Sequence, residues 1–101
     1  MARRGWDDLK QQRLDEMSPS DRVEYDAAYA AAKLAADVGE RIRTAREAAG
    51  LSQRELARRM GTSQSAIDRL EAGGVGATLT TLQRVAMALG MEVSVELRPT
   101  A

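Results

Sequence analysis

The chain of 101 residues has no cysteine and no histidine. Without cysteine there is no disulfide framework and no thiolate chemistry. Without histidine the commonest general base and the commonest zinc ligand are gone, so a Cys/His zinc finger is impossible. Carboxylates alone can still hold a metal, but no acidic cluster has the spacing of a calcium loop, and no metal or cofactor is expected. No apolar run approaches the roughly 20 residues of a membrane span. The N-terminal MARRGWDDLK lacks the apolar stretch of a signal peptide. Proline occurs only at positions 19 and 99, near the edges of patterned segments. These absences lead to the expectation of a soluble cytoplasmic protein of one small domain with an added arm. It binds something rather than catalysing a reaction, and it is not an enzyme.

Charge of one sign is also missing: 15 Lys and Arg balance 15 Asp and Glu. That zero is an average over unlike segments. Residues 1–40 carry six basic and nine acidic side chains, residues 41–76 seven Arg and four acids, and residues 77–101 two of each. The middle of the chain is therefore basic, and all its positive charge is arginine.

Apolar periodicity predicts helices through most of the chain. A short one spans Trp6 to Met17, with Asp7 and Asp8 at the favourable end of its dipole. Ser18 followed by Pro19 reads as an N-cap and first helical residue. From there Val23, Ala27, Ala30, Leu34, Val38, Ile42, Ala45 and Ala49 recur in steps of three and four. The stripe crosses Gly39 in phase, which predicts one long helix over 19–49, with a kink or break near Gly39 or two shorter helices as alternatives. Gly50 ends it. Ser52 with Glu55 forms a capping box for a helix over 52–60, stopped by Gly61. Thr62 or Ser63 caps the next, to about Glu71, and the breaker cluster 72–76 forms a loop. A last helix runs from Thr78 to Leu89.

The tail changes period. Met91, Val93, Val95 and Leu97 alternate with Glu92, Ser94, Glu96 and Arg98, which predicts a strand. A lone strand leaves backbone groups unpaired, and no second candidate exists in the chain. Pairing with the same strand of a second copy resolves this, so a homodimer with the strands antiparallel across a two-fold axis is expected.

Two short helices, 52–60 and 63–71, joined through Gly61 follow the pattern of a helix-turn-helix, which presents the start of its second helix to the DNA major groove. Here that end is Thr62, Ser63, Gln64 and Ser65, with Arg69 one turn on. Gln pairs with adenine through two hydrogen bonds, Ser accepts several base edges, and Arg prefers guanine. Gln53 opens the preceding helix, where a phosphate contact together with helix N-terminal amides is expected.

The run LSQRELARRMGTSQSAIDRLEAG over 51–73 resembles the phage-repressor, or Xre-type, helix-turn-helix, and the likeness extends over about 41–90. The layout as a whole is similar to HigA-type antitoxins, in which a Trp-bearing helical arm and a Tyr-containing helix precede the domain; that likeness covers about 5–37. The resemblance implies base contacts at Gln64, Ser65 and Arg69, and phosphate or turn contacts at Gln53, Thr62 and Ser63. It also implies a buried ion pair of Arg46 with Glu71. The loop departs from the family pattern, since many repressors carry Lys, Arg or Pro where this chain has Gly73, Gly74, Val75 and Gly76.

The expected architecture is mainly α. An N-terminal helical arm (1–37) leads into a repressor-like helix-turn-helix bundle (38–90), followed by a dimerisation strand and tail (91–101). Trp6, Tyr25 and Tyr29 are the only aromatics and lie outside the bundle. They pack a core or, with Leu9 and Leu14, anchor a partner. By resemblance that partner is a basic RelE/ParE-like toxin, suited to the acidic arm. The protein would then bind operator DNA as a homodimer, repress its own operon and neutralise the toxin. Two rivals stand beside this reading: a phage-type or stand-alone repressor without a toxin, and a protein-interaction module with little DNA binding.

Overall fold

A computed structural model describes residues 5–74 and 77–100 of the chain. Expectations that fall on residues 1–4, on Val75 and Gly76 of the loop, and on Ala101 lie outside the described residues. Among the described residues the order is α1 (Trp6–Glu16), α2 (Pro19–Ala48), α3 (Gln53–Met60), α4 (Gln64–Glu71) and α5 (Leu79–Ala88), with no strand. The chain divides into two compact units, Met1–Ala32 and Lys33–Ala101.

The first unit holds α1 and the start of α2. Nothing in α1 is fully buried, and its N-cap, Gly5, supplies no side-chain acceptor. The turn into α2 is better built. The Asp21 amide donates to Ser18 Oγ at 3.2 Å, and Pro19 follows where a missing amide costs nothing. Leu14, Met17 and Tyr25 are half-buried, and Lys10 Nζ stands 4.8 Å from the Tyr29 ring centroid. A helix as short as α1 does not persist alone, so these contacts hold it.

The second unit has a conventional core. Leu56 and Ile67 are fully enclosed, with Ile42, Ala57, Met60, Leu70 and Val85 buried around them. The caps follow the sequence: Ser52 Oγ accepts from the Glu55 amide, Ser63 Oγ from Ala66, and Thr78 Oγ1 from Thr81, each at 3.1 Å. Ser63, not Thr62, is thus the cap of α4. The Ser52 box is incomplete, because the Glu55 carboxylate accepts from the Ser52 hydroxyl rather than from its amide. Gly61 ends α3 at φ +68, a left-handed conformation that favours glycine.

Helix α2 runs unbroken through Gly39, so of the alternatives left open there the continuous one is found. Its apolar stripe behaves differently along its length. Val38, Ile42 and Ala45 turn inward, whereas Val23 and Leu34 are 68 % and 64 % exposed. Phase alone cannot distinguish a stripe facing a core from one facing solvent.

The expected C-terminal strand is not present in the single chain. A strand is held by its ladder, and no neighbouring segment offers Met91, Val93, Val95 and Leu97 one. The Met91 amide instead donates to Ala86 O at 2.8 Å, closing the last turn of α5 beyond Gly90 at φ +68. Only Val93 is half-buried, beside Val38, Leu82 and Leu89, while Val95 and Leu97 project into solvent. The antiparallel strand pair across a dimer is accordingly absent from the fold of one chain.

Candidate nucleic-acid interface

Helix α4 is amphipathic in a way that sorts its residues by role. Ile67 and Leu70 enter the core, while Gln64, Ser65, Asp68 and Arg69 stand exposed on the outer face. The first turn of α4 follows directly from the turn through Gly61, so Gln64 is the first helical residue after its cap. Thr62 and Ser63 belong to the turn itself: the Thr62 amide donates to Ala57 O at 2.9 Å, and the Ser63 hydroxyl is the cap.

The inner end of α4 is fastened by a buried ion pair. Arg46 Nε donates to Glu71 Oε2 at 2.6 Å and Arg46 Nη2 to Glu71 Oε1 at 3.0 Å, a fork on both carboxylate oxygens. Arg46 Nη1 donates to Leu51 O at 2.7 Å, so the guanidinium also ties down the α2–α3 connection. Both side chains are withdrawn from water, Arg46 to 10 % and Glu71 to 4 % exposure. Burial pushes the Glu71 carboxyl up. Hydrogen bonds from Arg46 and Gln53, with the charges of Arg46 and Arg43, outweigh this and hold it below its ordinary value. The hydrogen bond to Glu71, against the opposing effect of burial, raises Arg46 further.

Gln53 sits at the start of α3 as expected, but its amide points elsewhere. Gln53 Nε2 donates to Glu71 Oε1 at 3.1 Å and lies 3.4 Å from Asp68 Oδ1. The side chain proposed to meet phosphate therefore spans α3 to α4 in the unbound protein. The signal available in the sequence was the acid pair Asp68 and Glu71 spaced to face one amide.

Two further arginines escaped sequence reasoning. Arg84 of α5 donates through Nη2 to Met60 O at the end of α3, and Arg59 of α3 donates through Nη1 to Ala88 O at the end of α5, at 3.4 Å. Each cation meets the negative end of the other helix, which stabilises both termini. A cleft of about 250 Å³ opens beside Arg84, lined by Thr62, Arg69 and Thr81 among others.

In the first unit, Trp6 is 71 % and Tyr29 56 % exposed, Leu9 is 41 % exposed, and Leu14 and Tyr25 are half-buried. Trp6, Leu9, Leu14 and Tyr25 line one cleft of about 390 Å³. The Tyr25 and Tyr29 rings stack with centroids 6.5 Å apart. Among the described residues no group of three or more acidic side chains could hold a metal, and no helix is long and apolar enough to cross a membrane.

A family model described as helix-turn-helix matches residues 42–95. An uncharacterized HTH-type transcriptional regulator, y4dL, from Sinorhizobium fredii is 43 % identical over 56 residues, which are 55 % of this chain and 29 % of that protein. The chain thus spans less than a third of that relative. Among solved structures, the restriction-modification controller protein C.AhdI from Aeromonas hydrophila superposes with a TM-score of 0.58 at 33 % identity, covering 60 % of this chain and 88 % of that one. A toxin-antitoxin module from Streptococcus pneumoniae aligns over 96 % of this chain and 97 % of its own, at 27 % identity and a TM-score of 0.48.

Proposed function

Because the chain belongs to the helix-turn-helix family, we propose that it is a DNA-binding transcription regulator whose α4 reads one operator half-site through Gln64, Ser65 and Arg69. The observation that carries this reading is the arrangement of α4. Its polar residues stand exposed on one side, while Ile67, Leu70 and the Arg46–Glu71 pair anchor the other. A helix offered to the groove needs both a free outer face and a rigid back. The descriptions of its relatives as a transcriptional regulator and a controller protein agree with it. Thr62 and Ser63 offer turn and cap groups to the backbone of the duplex. Gln53 offers its amide if it leaves Glu71.

Operator recognition by two copies is part of the proposal, with half-sites about one helical turn apart. The exposed apolar residues Met91, Val95 and Leu97, with Val93, are the surface assigned to that pairing. In a dimer the unpaired backbone of this segment gains the ladder it lacks alone. Enrichment of duplexes from a random pool, followed by sequencing, tests the whole reading. A two-fold symmetric motif is the expected result, and no enrichment over input overturns it.

For the arm we infer an antitoxin role, in which residues 1–37 bind a basic RelE/ParE-like toxin in the cytoplasm. It is supported by the likeness of the arm to HigA-type antitoxins, by the excess of acids over 1–40, and by the exposure of Trp6, Leu9 and Tyr29, with Leu14 and Tyr25 beside them. Large aromatics left in solvent are common anchors of protein interfaces. Deleting residues 1–18 is expected to leave the melt of the second unit unchanged and to abolish neutralisation of the toxin co-expressed with it. Undiminished neutralisation removes that role from α1.

A further inference from the structure

Gly39 is buried in the middle of α2, although glycine is a poor residue for a helix interior. Its reason lies across the helix. A Cβ placed there would stand 2.6 Å from the carbonyl oxygens of both Leu70 and Glu71 and 2.9 Å from the Glu71 carbonyl carbon. These are backbone atoms in the last turn of α4, so no rotamer change relieves the clash. Close by, Gly73 at φ +83 would bring a Cβ within 2.9 Å of Ala36 Cα, one turn before Gly39. Arg46 lies seven residues after Gly39, two turns along the same face. Glu71 is therefore met at both ends by α2: its carboxylate by Arg46 and its backbone by Gly39.

We propose that Gly39 is a positioning residue for base reading: by letting the α4 carbonyls rest directly on the α2 backbone, it sets how far Gln64, Ser65 and Arg69 stand out from the domain. The ion pair holds the Glu71 carboxylate, which is joined to the α4 backbone through its own rotatable side chain, so the spacing of the two backbones is set more tightly by direct contact. Backbone against backbone is a hard stop. An added methyl displaces α4 outward, and a recognition constellation tolerates only about 0.5 Å of misplacement. The inference rests on the DNA-binding reading, and the test separates the two.

Wild-type protein is first used to enrich a duplex from a random pool, which decides the DNA reading without reference to Gly39. Gly39→Ala is then compared with Leu82→Ala, a core truncation in α5 that serves as a destabilised control. For G39A that remains folded by circular dichroism, the ratio of affinities for the enriched and for random duplex is expected to fall about tenfold or more. Its random-duplex affinity should stay within about threefold, because that term is set by charge. The amide resonances of Gln64 to Glu71 should shift without DNA. L82A should keep the ratio within about threefold, its reading face being untouched. An unchanged ratio or unchanged α4 resonances in G39A overturns the proposal, as does an equal loss of ratio in L82A. If G39A does not fold, Gly73→Ala takes its place: its Cβ presses on Ala36, one turn before Gly39, and because its φ of +83 adds strain in the loop, both the ratio and the amide resonances of Gln64 to Glu71 must change. If neither folds, Gly39 serves the core alone and the proposal fails. Should wild type enrich nothing, the DNA reading falls, and the α4 resonances of G39A still decide whether this contact positions the helix.

Discussion

Glu71→Ala is expected to lower the stability of the helix-turn-helix unit by up to about 3–5 kcal/mol, because it leaves the buried Arg46 guanidinium with only the Leu51 carbonyl and the exposed Glu47 carboxylate 3.9 Å away. Domains of this size are commonly stable by only about 5–15 kcal/mol, so the variant should stand near unfolding in a urea melt. Replacing both partners by apolar residues, Arg46→Met with Glu71→Leu, should cost much less, since no charge is then stranded. An equal loss in the double variant would show that packing, not the charge, is what Glu71→Ala removes. The same pair gives the fold an acid limit. The Glu71 carboxyl lies below its ordinary value of 4.5 in the folded chain, so its contribution is complete above that value. It disappears as the pH falls through the lower, folded value. Through this group wild-type stability should fall on the acid side of 4.5, a part of the pH dependence that Glu71→Ala should lack. Arg46 is raised from an already high value and contributes no change at moderate pH.

The double variant Gln64→Ala with Arg69→Ala should behave in the opposite way. Both side chains are exposed, and no core contact depends on them, so the melt should be unchanged. A bidentate base contact is worth about 1–3 kcal/mol, and losing two should weaken operator binding at least about thirtyfold. Anisotropy titration of the enriched duplex against random duplex measures this, with random binding little affected by Gln64. Operator affinity within about threefold of wild type would move the reading face off the outer side of α4. Together the two variants separate a residue that holds the recognition helix from one that uses it. By DNA binding alone, Glu71→Ala and the double variant would look alike.

Local grammar made much of the fold legible. Ser18 with Pro19, Ser52, Ser63 and Thr78 mark helix starts because each supplies an acceptor to an orphan amide within three residues, and such pairing needs no tertiary knowledge. The ends at Gly50, Gly61 and Gly90 follow from positive φ in the same local way. What the sequence hid is what lies far apart in it. Arg59 with Ala88 and Arg84 with Met60 are separated by 29 and 24 positions, and no periodicity links them. Gln53 looked like a phosphate ligand because its place at the start of α3 is readable, whereas the direction of its amide depends on where α4 docks. The tail misled for a related reason: alternation over 91–97 reports a pattern of side chains, but a strand exists only with a partner. The helical stripe crosses Gly39 in phase and leaves a bend or break there only as an alternative, but no periodicity shows that its missing side chain serves a neighbouring helix.

The arginine contacts inside the second unit have a consequence for its ion atmosphere. Arg46, Arg59 and Arg84 donate to protein acceptors, and Arg43 pairs with Glu47 at 3.0 Å. Among the described residues of 41–74 this leaves Arg41, Arg54, Arg58 and Arg69 without an intramolecular acceptor. Each phosphate neutralised on a duplex releases about 0.9 of a condensed counterion. Four such arginines per copy, eight in the proposed dimer, fall within the roughly six to ten contacts that make binding strongly salt-dependent. Affinity for any duplex should therefore fall steeply as salt is raised, while discrimination between sequences should change much less.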